Sequence, residues 1–291
     1  MRLALLLYRY FPHGGMQRDF RRLVEELQAR GHHCRVYFIE WEGEPLPGAE
    51  LRRVRARATS RHRRNERFIA RVQEDLAADP VDGVIGFNRM PGLDIYFAAD
   101  PCYVDRALEA RNRLYRRGGR FRHFAAAERA VFGPGSDTHI LLISETERAK
   151  FERHYQTPPA RMHLLPPGVS PDRRRPEDAA SKRRALRENL GLEPQVYVLL
   201  FLGSGFVTKG LGRAIRALAR VRSEQPSVSP RLLVVGSDKQ RSFHHLARRL
   251  GVRDITTFLG GRDDAVSYTH LRAHETTSHI SYAVFCLKTG G

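Results

Sequence analysis

Apolar residues fall along this chain in two alternating patterns. Short unbroken runs bounded by turn residues suit strands buried on both faces, whereas apolar residues recurring every three or four positions suit helices. Residues 3–7 (Leu-Ala-Leu-Leu-Leu) are such a run, followed by the turn Pro12-His13-Gly14-Gly15. Phe20, Leu23, Val24 and Leu27 then recur at helical spacing until Gly31 stops them. Residues 34–39 alternate and are predicted as a second strand. Phe68, Val72 and Leu76 mark a helix ending near Pro80, residues 81–87 a third strand, and residues 95–98 a short fourth that ends at Asp100-Pro101. Residues 139–143 form the next, and Ser144 with Glu147 three positions on has the form of a capping box. Residues 162–165 close this half, and Pro166-Pro167-Gly168 breaks it.

A Pro/Arg-rich stretch from Pro171 to Pro176 marks residues 169–180 as a linker. Strand and helix then alternate again: a helix near 182–189, strands at 196–202, 232–235 and 255–259, and helices at 211–222 and 243–250. The predicted fold is α/β, with a doubly wound parallel sheet over residues 1–168 and a second, incomplete one over 181–264. Three strands are few for a finished sheet of this kind. From about Ala265 neither period persists. Residues 266–276 and 280–287 resemble, in order, two pieces of one reading frame of a sequencing adapter, so residues 265–291 are expected to be a non-native tail. The native sequence is then expected to continue differently after about Asp264.

No run of about 18 or more apolar residues is present, so no bilayer-spanning helix is expected. Residues 1–7 are too short an apolar run for a secretion signal, and no small-residue cleavage site follows. Three cysteines without metal-ligand spacing argue against a disulfide framework and a zinc site; Cys34 and Cys102 read as free buried thiols in a reducing cytosol. The formal net charge is +18. Such a field attracts polyanions such as nucleic acid, acidic lipid or phosphorylated saccharide, unless arginine simply replaces lysine on solvated faces. Nucleic acid is disfavoured, because no helix-turn-helix, zinc or RNA-reading motif appears.

Four features carry candidate chemistry. Gly14 and Gly15, between the first strand and its helix, allow close backbone approach to a phosphate or polar sugar, at a helix N-terminus. Asp19, in the first turn of that helix, is either functional or a complement to the helix dipole. Gly203-Ser204-Gly205-Phe206-Val207-Thr208-Lys209-Gly210 lies between a strand and a helix in the second half and offers a pyrophosphate cradle. Its spacing is not that of a Walker loop. There Lys209 neutralises a leaving diphosphate, and Arg173 either reaches the same cleft or is a solvated linker residue. Asp100, closing an apolar strand, holds a sugar hydroxyl or accepts a proton, or else serves as a helix N-cap. Over residues 103–132, Arg106, Arg113, Arg116, Arg117, Arg120 and Arg122 interleave with Leu114, Tyr115, Phe121 and Phe124. A basic helix of this kind suits an anionic membrane surface or nucleic acid, or else is a surface helix packed on its own core.

Tyr8-Arg9-Tyr10-Phe11-Pro12-His13-Gly14-Gly15-Met16-Gln17-Arg18-Asp19-Phe20 closely resembles the opening of the lipopolysaccharide core heptose(I) α-1,3-glucosyltransferases, of glycosyltransferase family 4 and GT-B fold. So do Gly86-Phe87-Asn88-Arg89-Met90-Pro91-Gly92-Leu93-Asp94, residues 96–100, His154-Tyr155-Gln156-Thr157, residues 165–168 and Pro171-Asp172-Arg173. The resemblance covers about residues 1–264. It implies two Rossmann-like domains facing a cleft, with an acceptor side in residues 1–168 and a nucleotide-sugar side in 181–264. It also implies glucose transfer with retention from UDP-glucose, or a related UDP-hexose, to a heptose of the lipopolysaccharide core, with no cofactor and no required metal. Gly14, Gly15, Gly203, Arg173 and Lys209 would then hold the donor, and Asp100 and Asp19 the reacting groups. Arg113, Arg116, Arg117, Arg120 and Phe121 would dock a cytoplasmic, peripheral enzyme on the anionic inner face of the cytoplasmic membrane. Two departures stand out. Thr208 replaces the arginine usual before the phosphate-binding lysine, and the family's Glu-x7-Glu motif would fall beyond the start of the tail. The 291-residue chain is therefore expected to be inactive, and detectable glucose transfer by it would overturn that expectation.

Overall fold

The chain forms two compact units, Met1–Gly168 and Val169–Gly291. The structure is a computed structural model that describes residues 1–261 except 13, 167, 169–177, 194 and 204. Arg173 and the 265–291 tail lie outside the described residues. The first unit begins with β1 (Arg2–Leu6), β2 (Arg9–Tyr10), α1 (Gly15–Ala29), β3 (His33–Phe38), β4 (Glu40–Trp41), β5 (Glu50–Arg53) and α2 (Arg61–Ala78). It continues with β6 (Gly83–Gly86), β7 (Ile95–Ala98), α3 (Tyr103–Ala110), α4 (Arg113–Arg117), α5 (Gly119–Phe132), β8 (His139–Leu142), α6 (Glu145–Tyr155) and β9 (Met162–Leu164). A seven-stranded sheet has the order β5-β3-β1-β6-β7-β8-β9, and β2 pairs with β4 in a small ladder of its own. Every pairing in the large sheet is parallel. The chain winds from β1 out to β5, then crosses to the other side at β6. The switch point, where such sheets bind ligands, therefore lies between β1 and β6.

The period-two alternation of β1 explains its unbroken apolar run. Ala4 and Leu6 pack with Phe68, Val72, Phe132 and Phe151 on one face. Leu3, Leu5 and Leu7 pack with Phe20 and Val24 on the other. Helix α1 thus covers one face of the sheet, and α2, α5 and α6 cover the opposite one.

Strand β5 has no counterpart in the hydrophobic pattern. Its sequence, Glu-Leu-Arg-Arg, is held at the sheet edge by charge. Arg35, 5% exposed, lies 2.8 Å from Glu50 and also pairs with Asp79. Arg52 bridges Glu50 at 2.6 Å and Asp75 at 2.5 Å, and the Tyr37 hydroxyl donates to Asp75. Charged edges of this kind also discourage strand addition from other chains. Hydrogen bonds from Tyr37 to Asp75, from Arg35 to Glu50 and from Arg2 to Asp79 hold all three carboxyls below their ordinary pKa. The stability they contribute is fully present above the unfolded carboxylate range, near pH ~4, and is lost as pH falls through the lower folded values. The denaturation midpoint reported by Trp41, the only tryptophan, is expected to drop on acidification below that range. The drop should be smaller in an Arg35→Met variant.

Two local expectations are corrected. Ser144 is the N-cap residue of α6 but makes no side-chain cap bond; its hydroxyl meets Thr146 at 2.7 Å. Glu147 does not complete a capping box, because its carboxylate accepts the Cys102 N–H at 2.8 Å and pairs with Lys150 at 2.7 Å. Residues 103–132 form three helices rather than one, broken around Arg111-Asn112 and at Gly118, with Asn112 capping α4 through Tyr115 N–H at 2.9 Å.

The second unit contains α7 (Ala179–Asn189), β10 (Tyr197–Leu202), α8 (Phe206–Lys209), α9 (Leu211–Glu224), β11 (Pro230–Val235), α10 (Arg241–Arg249) and β12 (Thr256–Gly260). Its described strands form a parallel sheet in the order β10-β11-β12. Phe201, Leu232 and Val234 meet α9 and α10 on one face, and Val198, Leu200 and Leu233 meet Leu186 of α7 and Leu190, the residue that ends it, on the other.

Candidate functional site

The strand order makes β1, β6 and β7 neighbours, and the segments leaving their carboxyl ends carry most of the residues singled out in the first unit. Gly14 is the N-cap of α1, in ordinary extended conformation with φ −81°. Packing rather than backbone strain keeps it bare. A Cβ there would stand 1.8 Å from Gln17 Oε1 and 2.9 Å from the Phe11 ring. Gln17 is buried, and its amide donates to the Arg9 carbonyl at 3.2 Å. Gly15 opens α1, which places Asp19 on the second turn rather than the first; the first turn holds no acidic residue. Too distant from the helix start for a simple dipole complement, Asp19 is half-buried. Burial raises its carboxyl pKa, against the opposing pull of Arg22 and Arg18.

From β6 comes Asn88, whose Oδ1 accepts the Tyr8 N–H at 2.8 Å and so ties this loop to the end of β1. Arg89 follows it. Its guanidinium donates to the carbonyls of Asp100 at 2.8 Å and Pro101 at 2.7 Å, and lies 3.0 Å from Glu128. Glu128 is fully buried. It accepts the N–H groups of Tyr103 at 2.8 Å and Val104 at 2.9 Å, and the Tyr155 hydroxyl at 2.6 Å. A carboxylate from α5 thus satisfies the first turn of α3, where unpaired N–H groups and the dipole favour negative charge. The capping role open to Asp100 is filled otherwise, with Cys102 as the N-cap residue. Asp100 is left exposed at the carboxyl edge of the sheet, its backbone clamped by Arg89.

Arg89 and Glu128 escaped the sequence reading as individual site residues. One signal was available for Glu128: it is the sole acid between Glu109 and Asp137 in a strongly basic stretch. Burial and the Glu128 carboxylate push the Cys102 thiol up to about 12, leaving it inert at neutral pH. The same two causes raise the Tyr155 phenol. The His154-Tyr155-Gln156-Thr157 motif is a clamp within the unit. His154 meets Asp105 at 2.9 Å, Tyr155 serves Glu128, Gln156 ends α6 in left-handed conformation, and the Thr157 hydroxyl donates to the Phe132 carbonyl at 2.8 Å.

In the basic region, Arg113, Arg117 and Arg120 are exposed, and Arg116 is partly covered. Phe121 is less available than its neighbours suggest, because its ring packs on Tyr103 and Tyr115. Leu114, 76% exposed, is the prominent apolar group there. Among the described residues no helix is long and apolar enough to cross a membrane.

In the second unit the turn after β10 brings Gly203 and Lys209 together. Gly203 has φ 128°, a region open essentially to glycine alone. A Cβ at this position would stand 2.0 Å from Lys209 Nζ, so the ammonium folds back over the bare α-carbon. Phe206, fully buried, anchors the turn edge-on to Phe201 and Phe243. Asp238, which follows β11, accepts the Phe206 N–H at 2.7 Å. Backbone N–H groups of Lys239 and Phe206 hold its pKa below the usual carboxylate range. Thr208 is exposed. A glycine-bearing turn closed by one ammonium is chemically a receptor for an anion.

Comparison with known proteins identifies relatives by sequence and by fold. The lipopolysaccharide glucosyltransferase WaaG of Escherichia coli K12 is 45% identical over 264 residues, covering 91% of this chain and 70% of that protein. The crystal structure of WaaG, a glycosyltransferase involved in lipopolysaccharide biosynthesis, superposes with a TM-score of 0.85 at 44% identity, over 91% of this chain and 72% of that one. The Anabaena protein Alr3699/HepE, solved with UDP and glucose, shares the fold at TM-score 0.65 and 15% identity, over 93% and 72% of the two chains. The sequence profile of Glycosyltransferase Family 4 matches residues 13–173. With that profile spanning more than half of its length, and with a relative this similar over nearly all of it, the chain belongs to glycosyltransferase family 4.

Proposed function

We propose that the reaction this site is built for is transfer of a hexose, glucose by preference, from a UDP-sugar to a heptose of the lipopolysaccharide inner core, with retention, at the inner face of the cytoplasmic membrane, a reaction the 291-residue chain by itself is not expected to complete. The single observation that carries the donor half of this reading is the Lys209 ammonium folded over Gly203 at the end of β10. As the bond between sugar and diphosphate breaks, negative charge grows on the departing oxygen. A preplaced ammonium is worth more there than in water. The family resemblance assigns Arg173, Gly14 and Gly15 to donor binding as well. Asp100 receives the sugar hydroxyls. Asp19, whose pKa is raised, is assigned to hold or accept a proton. The name of the 45% identical relative supports glucose and lipopolysaccharide. Exposed Arg113, Arg117 and Arg120, with Arg116, Phe121 and Leu114, suit an anionic lipid surface. The donor reading uses neither a cofactor nor a metal.

Isothermal titration with UDP tests the donor site. The chain is expected to bind UDP, and Lys209→Ala to weaken binding about tenfold or more, as for loss of a charge-assisted hydrogen bond of about 1.5–3 kcal/mol. Lys182→Ala, at a surface lysine paired with Asp178, should leave it unchanged. No binding of UDP, or equal binding by the Lys209 variant, would sink the reading.

A further inference from the structure

From β5 through the middle of α2 the chain is dense in arginine: Arg52, Arg53, Arg55, Arg57, Arg61, Arg63, Arg64, Arg67 and Arg71. Arg52 and Arg64 are neutralised, by Glu50 and Asp75 and by Glu40 respectively. Among the described residues no ion pair involves Arg55, Arg57, Arg67 or Arg71. These four surround a cleft of about 670 Å³, which Ala70 and a single carboxylate, Glu74, complete.

Their arrangement follows from two periodicities. Ala56 is buried, and Arg55 and Arg57 on either side of it are exposed. Arg67 and Arg71 stand one turn apart on α2 and share a face. The helix arginines are tied to the strand: Arg67 donates to the Arg57 carbonyl and Arg71 to the Arg55 carbonyl. Each guanidinium is held with further N–H donors to spare. Four cations gathered in one concavity repel one another and focus a positive potential into it. The guanidinium fork matches the oxygens of phosphate and grips them bidentately. Four such forks against one carboxylate exceed what a lone carboxylate ligand needs and suit a dianion.

We propose that the cleft of Arg55, Arg57, Arg67 and Arg71 is a binding site for a phosphomonoester or diphosphate group, built from different residues than the nucleotide-sugar site. The group is carried either by a membrane lipid or by a soluble molecule, and two arms of one experiment separate these sources. Inorganic pyrophosphate is titrated calorimetrically into the wild-type chain, R67Q/R71Q, R55Q/R57Q and K209Q. In parallel, the same proteins are floated with phosphatidylcholine vesicles with and without phosphatidic acid. All replaced arginines are exposed, and an unchanged Trp41 melting transition verifies folding. A soluble ligand predicts a pyrophosphate-binding event that survives K209Q and weakens about tenfold or more in both arginine pairs. A lipid ligand predicts capture by phosphatidic acid that both arginine pairs reduce, with pyrophosphate titrations unaltered. If both arginine pairs match wild type in both arms, the proposal is overturned. Failure of UDP binding at Lys209 would leave these outcomes untouched.

Discussion

Replacing Glu128 with alanine is expected to destabilise the Met1–Gly168 unit by about 3–5 kcal/mol, the range for removing one partner of a buried ion pair. The size of the effect comes from what the change strands. Arg89, its side chain 13% exposed, would keep its charge without the carboxylate that lies 3.0 Å from it. The N–H groups of Tyr103 and Val104 and the hydroxyl of Tyr155 would lose their acceptor together. Trp41 lies in this unit, stacked on Tyr10 at 4.0 Å, so its fluorescence reports the transition in denaturant. Glu128→Gln keeps an acceptor oxygen and should lose less, about 1–3 kcal/mol. Arg89→Met added to Glu128→Ala should lose less than the two single changes together, because no orphaned charge remains. A loss below about 1 kcal/mol in Glu128→Ala would mean that the buried cluster contributes little to holding the Asp100 turn.

Gly203→Ala should weaken UDP binding as much as Lys209→Ala does, although it removes no charge. Alanine at φ 128° is strained by about 1–3 kcal/mol. Its Cβ would also occupy the place of the Lys209 ammonium, 2.0 Å away. The ammonium must leave the turn, so the double variant should bind UDP no worse than either single one. Strict additivity, read by titration calorimetry, would separate Gly203 from Lys209 and contradict the arrangement. Gly14→Ala is a useful contrast. Its φ of −81° suits any residue, and the nearest atom is the end of the Gln17 side chain. The expected effect there is milder.

How much of this was legible beforehand differs from feature to feature. The strand at Ile95–Ala98 and helix α1 followed directly from apolar spacing, because both bury a regular apolar face. Strand β5 did not, since its pairing is enforced by Arg35, Asp75 and Asp79, which come from β3 and from α2 and the residue after it. The Ser144 and Glu147 spacing pointed to a capping box, yet Glu147 serves Cys102 instead, as the stronger demand came from a helix start far away in sequence. The basic stretch read as one helix from its charge and aromatic spacing, although Gly118-Gly119 and the capping residue Asn112 mark the breaks.

What the order of residues determined alone was the alternation of buried strands with amphipathic helices and the two glycine turns, Gly14-Gly15 and Gly203 to Gly210, because these depend on local periodicity and on backbone freedom. Only the tertiary structure decided that Glu128 is a buried acceptor, that Arg89 clamps Asp100, that Lys209 lies over Gly203, and that four arginines enclose one cleft. Each of these is a matter of charges and donors from separate segments finding partners out of water. Such pairing is set by which surfaces the packed sheet brings together, and no local pattern encodes it.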